Sequence, residues 1–170
     1  VAHLAAIKER LPFINFFDDF RTSHEIQKIE QWDNSDLADI LDYDALQAWR
    51  DQCLNPNHPC QRGSAQNPDI FFQAREASQR FFDAVPGIVE NYMEKITDIT
   101  GREYHLFDYV GPKDAEYVII AMGSVCEAAE ETGKVLNEKG QKVGLVKVRL
   151  YRPWSSEHLK AVMPNTVKKI

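Results

Sequence analysis

The chain has 170 residues, 44% of them hydrophobic, enough for one packed domain or two small ones. A net charge of −6 and a pI near 5.4 argue against a nucleic-acid partner, which demands a clustered basic surface. No apolar run approaches the ~18 residues of a membrane-spanning helix, and three cysteines without a CxxC pair suit reduced intracellular thiols better than a disulfide framework.

The first residues, Val1-Ala2-His3-Leu4-Ala5-Ala6-Ile7-Lys8, carry neither an initiator Met nor the basic-then-apolar layout of a signal peptide. They read as the middle of a helix over 1–10. The last, Thr166-Val167-Lys168-Lys169-Ile170, read as the beginning of a strand. Both ends look cut, so an internal fragment is expected.

Residues 11–17 form an apolar run with Pro12 near its start, which predicts a short buried strand. It stops at Asp18 and Asp19, and Arg21-Thr22-Ser23-His24-Glu25 follows. Open α/β sheets place ligand and interface chemistry at such strand ends. Residues 24–31 offer a short helix of ambiguous pattern. Ser35 precedes Leu37, Ile40, Leu41, Ala45, Ala48 and Trp49, which follow one helical face and are expected in the core or at a domain contact. Residues 54–66 are rich in turn formers and read as a surface loop.

Asn67-Pro68-Asp69 is a strong helix start, with a cap, a first-turn proline and a dipole-matching acid. Ile70, Phe71, Ala74, Ala77 and Phe81 line the helix. Pro86 is expected to interrupt it, and Ile88, Val89, Tyr92, Met93 and Ile96 carry a second amphipathic stretch to Gly101.

Beyond Gly101 strands and helices alternate. Residues 117–122 are nearly all apolar, as in a strand buried on both faces. Ser124, with Glu127 three residues on, predicts a capping box. The helix it opens runs to Lys139-Gly140, a basic last turn and a glycine stop. A strand over 143–151 ends at Arg152-Pro153, and Ser155 or Ser156 caps a short helix ending before Pro164. This β–α–β unit should be right-handed with parallel strands. The boundary at Gly101 therefore divides the chain into domains at 1–101 and 102–170.

Few constellations carry chemistry. The Met122-Gly123-Ser124 turn offers backbone N–H groups to a phosphate, but neither GxGxxG nor GxxxxGK[ST] is present, and a capped crossover helix is the preferred reading. Cys53, His58 and Cys60 are an incomplete ligand set for zinc, and three cysteines are one short of a [4Fe–4S] cluster. Cys126 falls in a helix's first turn among Val125, Ala128 and Ala129 and reads as a packed, inert thiol. The group Asp18, Asp19, Arg21, Thr22, Ser23, His24 and Glu25 allows two uses. It can hold an acid–base pair, His24 with Glu25 or Asp18, or form an ion-paired network for structure or docking. The second use is preferred, because such networks mimic active sites.

Several blocks resemble pyruvate:ferredoxin (flavodoxin) oxidoreductases. Residues 16–30 resemble that family's FFDGFRTSHEIQKIE, and Leu54-Asn55-Pro56 with His58-Pro59 and Arg62-Gly63 resembles its LNPEHP…RG stretch. Ala65 to Ile70, Phe72 to Ala77, Phe107-Asp108-Tyr109, Ala121 to Glu127 and Val146 to Pro153 continue the likeness in order.

The resemblance implies an α/β fold: the end of a thiamine-enzyme pyrimidine-binding-like domain with a helical linker, then the start of a transketolase C-terminal-like domain. It implies a homodimeric parent enzyme that converts pyruvate and coenzyme A to acetyl-CoA and carbon dioxide. Thiamine diphosphate, magnesium and [4Fe–4S] clusters would serve it, with electrons passing to ferredoxin or flavodoxin. A flavin fusion passing electrons to NADP is a further reading. The location implied is the cytoplasm, or a hydrogenosome-like organelle in an anaerobic protist.

The family's thiamine-activating glutamate and substrate arginine would lie upstream of Val1, and its Gly-Asp-Gly region and cluster cysteines downstream of Ile170. No catalytic, cofactor or metal residue is therefore assigned here, and the chain alone is expected to be inactive. Asp18, Arg21, Thr22, His24 and Glu25 remain as interface or structural candidates. Asp19 stands where the family usually has glycine, which predicts an altered turn. The rival from another class is a non-enzymatic α/β binding or assembly domain on the same architecture.

Overall fold

A computed structural model describes every residue except Asp19, so the glycine-to-aspartate turn expected there lies outside the described residues. Helix α1 (Ala2–Glu9) ends at Arg10, whose left-handed backbone (φ 58°) lets its N–H reach the Ala6 carbonyl at 2.8 Å. Fully buried Ala5 lets α1 lie close against the long helix α5 (Pro68–Thr100).

The strand expected over 11–17 does not form. Leu11 and Phe13 pack partly buried against the core, while Ile14, Phe16 and Phe17 are 87%, 62% and 70% exposed. A strand persists by pairing its backbone and burying a face. Pro12 lacks an N–H, and no neighbouring strand among the described residues covers the segment.

The helix expected over 24–31 is displaced. Helix α2 spans Phe20–His24, and beyond it Ile26 and Ile29 are 101% and 79% exposed, so no apolar cover supports a longer one. The face expected from Ser35 is split into α3 (Asn34–Ile40) and α4 (Tyr43–Asp51). Two aspartates start them: the Asp33 N–H donates to Asp36 Oδ2 at 3.1 Å, and Asp42 Oδ1 accepts from the Ala45 N–H at 2.8 Å. Of the expected core face only Ile40 is buried. Leu37 and Trp49 are about half exposed.

Helix α5 runs unbroken for 33 residues, with Pro86 inside it. Proline costs a helix interior about 3 kcal/mol through the missing N–H and ring crowding. Val85, Val89, Tyr92, Met93 and Ile96 are buried around and beyond it, and packing of that order per side chain (about 1.5–3 kcal/mol) keeps the helix whole. Gly101 closes it with a left-handed φ of 66°. At its start, the Asn67 side chain makes no cap; the Asn67 carbonyl instead accepts the Ile70 and Phe71 N–H groups.

A three-stranded sheet follows, in order β1-β3-β2, from β1 (Phe107–Val110), β2 (Tyr117–Ala121) and β3 (Val143–Val148). Strands β2 and β3 are parallel, as expected, with Tyr117 opposite Val143 and Ala121 opposite Lys147. Strand β1 was not foreseen and pairs antiparallel to β3, Phe107 opposite Val148. Strand β3 stops at Val148 rather than 151, because the Arg149 and Leu150 N–H groups turn to the Leu106 carbonyl. Helix α6 (Val125–Glu138) makes the crossover, and Asn137 exchanges two 2.9 Å hydrogen bonds with the Val143 backbone, setting the entry to β3. No basic residue occupies its last turn; Lys139 is its C-cap and Gly140 follows at φ 81°. Ser155 caps α7 (Ser156–Val162). The closing residues make a single parallel bridge, Lys169 beside Tyr117.

One apolar cluster joins these parts. Val85, Val89, Tyr92 and Met93 of α5 meet Leu106, Phe107, Val118, Val146, Val148 and Leu150, together with fully buried Ala5 of α1. No helix of the described residues is long and apolar enough to cross a membrane.

Candidate functional site

The polar cluster that follows the apolar run is carried by the single turn of α2 and lies on the surface. Ser23 Oγ donates to the Phe20 carbonyl at 2.9 Å, and His24 Nδ1 lies 2.6 Å from the same oxygen. That nitrogen must carry the proton, since a carbonyl only accepts. The His24 and Phe20 rings lie 4.5 Å apart. Among the described residues His24 has no hydrogen bond to a carboxylate, so neither acid–base pairing forms.

Arg21 Nε is 3.8 Å from Glu25 Oε1, one helical turn away, with the Arg21 side chain 93% exposed. The Arg21 guanidinium is thus paired within its own turn and solvated. Thr22 contributes its carbonyl to the Glu25 N–H at 3.4 Å.

Asp18 behaves differently. Its carboxylate accepts the backbone N–H of Ser124, at the start of α6. The Ser124 side chain makes no cap bond, so the expected capping box is absent and a residue 106 positions earlier does the capping. Hydrogen bonding by Ser124 holds the Asp18 carboxyl below the usual carboxylate range. Gly123, at φ 80°, leaves the room: a Cβ there would stand 2.5 Å from Asp18 Oδ1. The turn that could have cradled a phosphate is thus occupied by the chain's own carboxylate. A thiamine diphosphate does not fit at this turn.

The thiols do not gather either. Cys53 and Cys60 are exposed and Cys126 is buried, and burial raises the Cys126 thiol pKa. Among the described residues no group of three or more His, Cys, Asp or Glu could hold a metal. Three cysteines cannot supply the four thiolates of a cubane. No chemical step is derived through any of these groups.

Sequence reasoning missed two fastening points. Glu90 on α5 holds His105 and the Leu106 N–H, and Arg149 beyond β3 pairs with Asp108 of β1 while lying 4.8 Å over the Tyr104 ring. A glutamate on the flank of an amphipathic helix gives no local signal of either partner.

The model of the pyruvate flavodoxin/ferredoxin oxidoreductase family, thiamine diphosphate-binding part, matches residues 1–94, and that of pyruvate:ferredoxin oxidoreductase core domain II matches 115–170. The whole chain is 58% identical to a pyruvate:ferredoxin oxidoreductase of Moorella thermoacetica and 59% identical to a pyruvate-flavodoxin oxidoreductase of Klebsiella pneumoniae, and it covers 14% of each. It is 43% identical to a pyruvate dehydrogenase [NADP(+)] of Cryptosporidium parvum, of which it covers 9%. The chain thus spans about one-seventh of the bacterial relatives it matches throughout, and it belongs to the pyruvate flavodoxin/ferredoxin oxidoreductase family.

Proposed function

We propose that these residues are a structural part of an enzyme that oxidatively decarboxylates pyruvate with coenzyme A to acetyl-CoA and carbon dioxide. Its electrons pass to ferredoxin or flavodoxin. The observation that carries this reading is identity of 58–59% along the entire chain to a pyruvate:ferredoxin oxidoreductase and a pyruvate-flavodoxin oxidoreductase. Thiamine diphosphate, magnesium and [4Fe–4S] clusters are assigned to other residues of that enzyme, in keeping with the capped α6 turn and the scattered thiols. A division at Gly101 into a pyrimidine-binding-like part and a transketolase C-terminal-like part is supported by the separate family matches. Residues 16–25 are assigned to docking within a homodimeric enzyme. Phe16, Phe17 and Phe20 are 62–72% exposed beside the Arg21–Glu25 pair, the composition of an interface patch.

The test compares the full polypeptide with the 170-residue chain, both supplied with thiamine diphosphate and magnesium. The full polypeptide should reduce ferredoxin or flavodoxin in a pyruvate- and coenzyme A-dependent manner, and the short chain should not turn over or hold iron through gel filtration. Turnover by the short chain would refute the assignment of the chemistry elsewhere. No activity in a correctly loaded full polypeptide would favour the non-enzymatic reading.

A further inference from the structure

Ile14, Phe16, Phe17, Phe20, Ile26 and Ile29 present their side chains to solvent, and α2 is a single turn. Among the described residues, 14–25 meets the rest of the molecule through a hydrogen bond at Ser124, whose backbone N–H donates to the Asp18 carboxylate. It reaches α6 at an end whose first N–H groups have no partner within the helix and where negative charge is favoured.

We propose that Asp18 is a tertiary cap of α6 that fastens the 14–24 segment to the turn between β2 and α6, and that residue 123 is glycine to admit the carboxylate. The covalent chain anchors the segment on one side through Leu11 and Phe13, which pack on the core. Asp18 supplies the second point, and two points fix the direction in which Phe16, Phe17 and Arg21 face. Gly123 meets two demands at once. Its φ of 80° is one that side-chain-bearing residues rarely adopt, and a Cβ would press on Asp18 Oδ1, Oδ2 and Cγ at 2.5, 2.9 and 3.0 Å. Gly140, just beyond the other end of α6, has a near-identical φ of 81° with nothing within 4 Å of a Cβ. It separates backbone strain from the loss of the carboxylate's seat.

The experiment is amide hydrogen exchange on the full polypeptide, wild type and variants, read at the Ser124 amide, at peptides spanning 14–24 and at β3. Asp18→Ala should speed exchange at Ser124 and in 14–24 by about five- to tenfold, the effect of losing an ordinary helix cap, with β3 unchanged. Asp18→Asn, which keeps an acceptor but not the charge, should fall between the two. Gly123→Ala should reproduce Asp18→Ala, and the double variant should be no looser than either single one. Gly140→Ala should leave 14–24 as in wild type. Unchanged protection in both Asp18→Ala and Asp18→Asn would overturn the proposal, as would equal loosening of 14–24 by Gly140→Ala. If β3 loses protection in Asp18→Ala, the milder Asp18→Asn decides on the same criteria.

Discussion

Glu90 divides its carboxylate between two successive residues: Oε1 lies 2.5 Å from His105 Nδ1, and Oε2 accepts the Leu106 N–H at 3.1 Å. One helical side chain thereby holds the connection between α5 and β1. The Glu90 hydrogen bond raises the His105 pKa above its ordinary value of 6.5. A pKa raised on folding adds stability that is complete below the unfolded value and is lost as pH rises through the folded value. The melting-temperature gap between wild type and Glu90→Gln, which keeps an acceptor for Leu106, should therefore be widest near pH 6 and shrink toward pH 9. A gap that widens with pH would contradict this arrangement.

Arg21→Ala should leave the melting temperature of the 170-residue chain almost unchanged. Its pair with Glu25 is exposed and long, and such helix pairs contribute about 0.3–0.5 kcal/mol. A docking role predicts that the same substitution lowers assembly in the full enzyme, read by sedimentation together with turnover. Intact assembly with lost turnover would point to direct participation in the chemistry.

Phe107 is 2% exposed, edge-on to Trp154 with ring centroids 5.0 Å apart, and lies at the centre of the cluster shared by α5 and the sheet. Phe107→Ala should cost about 3–5 kcal/mol, measured by denaturant unfolding.

Gly144 is packed under the Tyr109 ring, where a Cβ would meet Cε2 at 2.7 Å and Cζ at 2.8 Å. Tyr109 is held there by its hydroxyl, which donates to the Pro112 carbonyl at 2.7 Å. Gly144→Ala should destabilise by about 1–3 kcal/mol, the usual cost of overpacking. Adding Tyr109→Ala should make that penalty vanish, because the ring it collides with is gone. A full penalty in the Tyr109→Ala background would place the strain elsewhere.

Pro86→Ala restores a helix N–H within a helix that is already continuous. It should stabilise the chain by about 1–3 kcal/mol and raise its helical circular dichroism. A loss of stability would show that the ring's packing outweighs its helix cost.

Local pattern sufficed wherever neighbours in sequence supply the physics. The start of α5 at Pro68, its stop at Gly101, the parallel β2 and β3 joined by α6, and the Ser155 cap follow from residues within a few positions of each other. The family blocks were equally legible, since they too are written in order along the chain.

What failed depended on distant partners. Residues 11–17 have the composition of a strand, yet a strand needs a neighbour to pair with, and no strand of the described residues pairs with it. Pro86 reads as a helix breaker, yet Val85, Val89 and Tyr92 find a core that holds the helix through it. Ser124 reads as a cap, yet Asp18 arrives from 106 positions away to take that place. The sequence alone determined the local starts, stops and periodicities, because these are settled by backbone preference within a turn or two. Only the tertiary structure decided which apolar runs are covered and which carboxylate meets which N–H, because burial and long-range hydrogen bonds belong to pairs of segments rather than to either one.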